Sequence, residues 1–136
     1  MQEFLFDPLA HRLAQVNSDC KTRYTAGAQV GGHRIVTLDG QGKVIHADHT
    51  VPAHAGQICG LTLTSQLANT SVVVCSFGLV YDSGWSWNLA NGLPLFLSTN
   101  GLFSQTAPTS GFVCKVGHLV SPTQIFIGIH PPTFLI

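Results

Sequence analysis

Three of the seven histidines in this 136-residue chain, His46, His49 and His54, fall with Asp48 in one stretch, HADHTVPAHAG. Imidazole nitrogens and a carboxylate are ligands that zinc takes, three or four of them converging on one point. In extended backbone His46 and Asp48 point to one side and His49 to the other, so only a turned chain would gather all three imidazoles. Pro52 and Gly56 mark a turn between two strands, and the expectation is a polar turn with no metal. His11, His33, His118 and His130 are dispersed and form no pair spaced by one helical turn.

Other chemistry is poorly supplied. No G-x-S-x-G frame surrounds a serine, and no glycine-rich phosphate loop is present. Six acids in all leave little for paired-carboxylate hydrolysis. The expectation is a protein that is not an enzyme and that needs no cofactor. Cys20, Cys59, Cys75 and Cys114 contain no C-x-x-C pair; the last three sit among apolar residues and read as reduced thiols packed like small hydrophobes. Trp85 and Trp87 in SGWSWN place both rings on one side of an extended segment. Such a pair anchors a packed interface or stacks on a sugar, and packing or interface is the favoured reading.

Charged residues are 9% of the chain, against about 25% in an ordinary soluble domain. Six cations balance six anions. No basic stripe exists for nucleic acid, and no apolar run reaches the roughly 20 residues of a membrane span. A surface this poor in charge favours association, so a homodimer or homotrimer is expected.

The elements that must position these residues divide at about residue 25. Residues 1–24 read as an arm: a short helix with Leu5, Leu9, Leu13 and Val16 on one face, opened by Asp7-Pro8, then an extended linker. Phe4, Phe6, Leu9 and Leu13 are its candidate interface residues, together with Trp85 and Trp87 from the body. Residues 25–136 read as a β-domain. RIVTLD and KVIHA form a hairpin about DGQG; SVVVCSFGLVY is apolar on both faces and reads as one central or interface strand; Asn100-Gly101 turns a second hairpin. Arg34, at the start of the first strand, is expected to pair with Asp39 or Asp48. About eight short antiparallel strands are predicted, in an all-β sandwich or small barrel.

Three phrases, taken in order, resemble a known family. They are TAGAQVGGHRIVTLDGQGKVIHAD, VPAHAGQICGLTL and LPLFLSTNGLFSQTAPTSGFVCKVGHLVSPTQIFIGIHPP. Together they resemble a small β-domain of tailed-bacteriophage virion proteins, met in capsid decoration or cement proteins, head fibres and tail-fibre modules. Ala26, Gly27, Gly32, His33, Arg34, Gly42 and Lys43 carry the first phrase, Pro52 to Gly56 the second, and Pro94, Asn100, Gly101, Pro108, Gly111, Gly117 and Pro131 the third. The resemblance covers about residues 25–136 and transfers no catalytic residue. It implies a structural protein of the virion, assembled in the bacterial cytoplasm, whose partners are the major capsid protein and other virion subunits. A decoration or cement protein is the first expectation and a short head or tail fibre touching the host is the second. Acid pH is expected to weaken assembly by charging the histidines.

Overall fold

The computed structural model describes residues 20–135. The arm residues Phe4, Phe6, Leu9 and Leu13, and the short helix expected around them, lie outside the described residues.

The described residues form twelve strands: β1 (Lys21–Thr25), β2 (Ile35–Leu38), β3 (Val44–His46), β4 (Ile58–Thr62), β5 (Ser71–Cys75), β6 (Phe77–Tyr81), β7 (Pro94–Leu97), β8 (Phe103–Ser104), β9 (Phe112–Val113), β10 (Lys115–Ser121), β11 (Gln124–Gly128) and β12 (Thr133–Phe134). Every ladder between them is antiparallel. The all-β expectation holds, with more strands than the eight expected, because β1 is polar, β9 and β12 are two-residue pairings too short to leave a pattern, and one expected strand divides in two. Two short 3-10 turns, Pro52–His54 and Leu89–Asn91, are the helical elements among the described residues.

The first sheet runs β1-β5-β4-β2-β3 and the second β6-β11-β10-β7-β8. Alternation along the strands sends Ile35, Leu61 and Cys75 from the first sheet, and Val80, Leu95, Leu97, Val116, Leu119, Ile125 and Ile127 from the second, into one buried cluster closed by Phe112. The first sheet also has a covered outer face, where Val36, Val44, Val72 and Val74 pack with Ala26 and Val30. That is why β2 and β5 are apolar on both sides.

Two boundaries differ from the sequence reading. SVVVCSFGLVY is two strands rather than one. The chain breaks at Ser76, and β5 lies inside the first sheet while β6 is an edge of the second. The expected linker end, Lys21–Tyr24, is already part of the body, since β1 pairs along the whole of β5, from Lys21 opposite Cys75 to Thr25 opposite Ser71. KTRYT has no apolar stripe to announce it; its strand is held by backbone bonds, with Tyr24 alone packing on the valine cluster.

The expected hairpins form. β2 and β3 pair about DGQG, where Asp39 Oδ1 accepts from the N–H groups of Gln41 and Lys43. Thr99 to Leu102 closes a two-residue turn with φ of 53° at Asn100 and 73° at Gly101, both in the left-handed region that Asn and Gly tolerate.

Candidate binding surface

The HADHTVPAHAG histidines are held apart by the backbone. His46 ends β3, and its Nε2 accepts the Gly31 N–H at 3.0 Å while its Nδ1 meets Asn100 Oδ1 at 2.8 Å. His54 sits in the 3-10 turn, and its Nδ1 accepts the Asp48 N–H at 3.0 Å. His49 Nδ1 donates to the Ser110 carbonyl at 3.0 Å. Each imidazole thus bridges a loop to a neighbouring segment, and among the described residues no three His, Cys, Asp or Glu side chains are grouped to hold a metal. VPAHAG is the turn it was expected to be. Asp48 caps this turn through the Thr50 N–H and hydroxyl, at 2.9 and 2.6 Å. Partial burial pushes the Asp48 carboxyl up, but the Thr50 and Asn100 donors and the nearby His49 outweigh it and hold the group below the usual carboxylate range.

Arg34 does not pair with Asp39 or Asp48. Both carboxylates are taken by their own turns, and the guanidinium instead donates to the Asn100 carbonyl at 2.8 Å. A carboxylate contact that no spacing in the sequence announces forms elsewhere. His33 Nδ1 lies 2.8 Å from Asp82 Oδ2, across 49 residues, with His33 at a left-handed φ of 55°. The Gly84 N–H and then His33 lower the Asp82 carboxyl.

Beside that pair stand the two tryptophans. Both are half-buried against the main core. Trp85 lies 4.9 Å from the His33 ring and 6.2 Å from Phe103, and Trp87 stacks on Phe103 at 5.7 Å. The buried Trp87 Nε1 has no hydrogen-bond partner among the described residues. Trp87 thus spends a ring face on Phe103, and Trp85 packs edge-on against the same ring.

The cysteines split by depth. Cys75 and Cys114 are buried, whereas Cys59 and Cys20 are partly exposed. Burial pushes the Cys114 thiol up to about 11, which leaves it inert as a nucleophile at neutral pH.

Among the described residues, what remains open is the outer face and edge of the second sheet. On β6, Val80 turns inward while Phe77, Leu79 and Tyr81 turn outward, 47%, 60% and 61% exposed. Register places Phe126 of β11 opposite Leu79, and His118 of β10 opposite Phe126. The rings bind this face together: Phe77 meets Phe126 edge-on at 4.9 Å, and His118 stacks on Phe126 at 5.4 Å. Val120, 45% exposed, continues the face along β10. The strands of this sheet carry one charged residue, Lys115.

The β6 edge is also unpaired on one side among the described residues. The Asp82 N–H donates to the Thr123 carbonyl, so the antiparallel ladder to β11 uses the backbone of Val80 and Gly78. The backbone groups of Phe77, Leu79 and Tyr81 therefore point away from the sheet. Edges are normally guarded by charge or brevity. β1 has Lys21 and Arg23, and β8 has only two residues; β6 has neither guard. No spacing in the sequence could reveal this edge, because strand order is set by distant partners.

The comparisons with known proteins leave this surface to speak for itself: the chain matches no protein-family model and no curated protein. Among the described residues no helix is long and apolar enough to cross a membrane.

Proposed function

We propose that this chain is a structural subunit that works by binding, through the charge-poor outer face of β6, β11 and β10. The resemblance of residues 25–136 to virion β-domains supports a tailed-phage particle as the assembly, with the chain as a capsid decoration or cement protein that clamps the shell. The observation that carries the reading is the face itself. An aromatic and aliphatic patch beside an unguarded edge is the surface an obligate assembly buries. Burial of such a face contributes about 25 cal/mol per Å² before the cost of association. The fibre alternative wants tryptophan faces open for a glycan, whereas Trp87 stacks on Phe103 and Trp85 meets the same ring edge-on within the domain.

The test is addition of the purified chain to expanded, undecorated capsids of its own phage. Saturable binding with a raised capsid melting temperature is expected, and Val120→Lys, at a 45% exposed position, weakens it at least tenfold while the free variant keeps its own melting temperature. Failure to bind capsids, with binding to host cells instead, overturns the reading in favour of a fibre.

A further inference from the structure

The β6 edge has a hollow beside it, and the chain itself holds a segment suited to fill it. The hollow is about 230 Å³ and is lined by Lys21, Cys75, Phe77, Gly78, Leu79 and Phe126. The described chain begins at this point: the Cys20 carbonyl accepts both the N–H and the hydroxyl of Ser76, the residue before β6, at 3.0 and 3.1 Å. Residue 19 therefore joins the described chain at the head of the open edge.

We propose that residues 1–19 of this chain are the occupant of that groove, seating Phe4, Phe6, Leu9 and Leu13 along Phe77, Leu79 and Phe126. Three observations converge. The first is reach: seven residues back from Cys20 to Leu13 span up to about 23 Å when extended, longer than the roughly 17 Å of the five-residue β6 edge. The second is composition, since the segment supplies the apolar side chains the edge lacks a partner for. The third is charge. Residues 1–19 hold Glu3, Asp7 and Asp19 against Arg12, a balance of −2, and residues 20–136 hold five cations against three acids, a balance of +2. Two of those cations, Lys21 and Arg23, lie on β1, and Lys21 lines the groove. The segment closes the edge and leaves Tyr81, His118 and Val120 for a larger partner.

The experiment uses the full-length protein carrying a benzophenone amino acid in place of Leu79. After irradiation, digestion and mass spectrometry, the adduct is expected on a peptide within residues 1–19. Mixing light and heavy isotopic forms tells whether the segment belongs to the same copy or to a neighbour, and either supports the proposal. An adduct on β6 or β10 of a second copy, or none at all, overturns it. A second measurement keeps the question open to refutation if the substitution disturbs folding. In the unlabelled protein, the amides of Leu79 and Tyr81 exchange at least tenfold faster in a Leu9→Ser, Leu13→Ser variant than in the parent; equal rates overturn the proposal. It does not rest on the virion reading: an adduct together with no capsid binding would remove that reading alone.

Discussion

Replacing His46 by leucine tests whether the histidine-rich turn is a structural joint. His46 makes two bonds through opposite ring nitrogens. Nε2 accepts from the Gly31 N–H, so it carries no proton, and Nδ1 carries the proton that faces Asn100 Oδ1. One neutral tautomer thus ties β3 to the segment leading into β2 and to the Asn100-Gly101 turn. Leucine keeps the bulk and removes both bonds. Asn100 is exposed, so its oxygen returns to water at little cost. Gly31 is partly buried, and its N–H loses its acceptor, a loss of about 1–3 kcal/mol for an unsatisfied buried donor. For a domain of this size that lowers the melting temperature by roughly 3–12 °C. Urea unfolding should give a lower midpoint with an unchanged m-value. His46→Gln, which restores a neutral acceptor, should recover part of the loss. His130→Leu, at an exposed position, should stay within about 0.5 kcal/mol of the parent. A His46→Leu protein that unfolds cooperatively with the same m-value and loses less than about 0.5 kcal/mol would refute the reasoning.

Further outcomes follow from the same structure. Asp48 and Asp82 both have folded-state carboxyls lowered below the ordinary 3.8. Their contribution is therefore complete above that value and lost as pH falls below it through the lowered folded-state values. Melting temperature should drop below about pH 4, and Asp48→Asn should flatten the drop; an unaltered profile counts against the Asp48 cap. Trp87→Phe keeps a ring against Phe103 and removes an Nε1–H that has no partner among the described residues, so the two effects should nearly cancel, whereas Trp87→Ala should cost about 3–5 kcal/mol, both read by urea unfolding. With its thiol near 11, native Cys114 carries about one thiolate in a thousand at pH 8 and should resist alkylation until the chain unfolds, a contrast visible by mass spectrometry.

Local signals carried well from sequence to structure. DGQG and Asn100-Gly101 specify their turns by backbone conformation alone, and the hairpins on either side followed. Pro52 and Gly56 marked the histidine stretch as a turn for the same reason. Signals that depend on distant partners did not carry. The apolar run from Ser71 to Tyr81 kept the look of one strand because both halves bury side chains, one between β1 and β4 and the other beside β11. Only Ser76 interrupts it. β1 is polar, so its place in the sheet is written in hydrogen bonds that leave no pattern. His33 and Asp82 meet across two sheets, and the Arg34 pairing failed because nearer backbone donors claimed Asp39 and Asp48. Of the binding surface, composition told that charge was scarce, but which face would stay bare depended on strand order.

The pairing of β1 with β5 also sets a timetable for synthesis. Lys21–Thr25 leaves the ribosome among the first residues of the domain, yet the strand it needs ends at Cys75. At about 5–20 residues per second, roughly 3–10 s pass before that partner has been made. β2 and β3 can zip within that interval, and β4 can join them. The first strand made is thus a late one to be placed, and it locks the sheet only when Ser76 arrives to clasp Cys20.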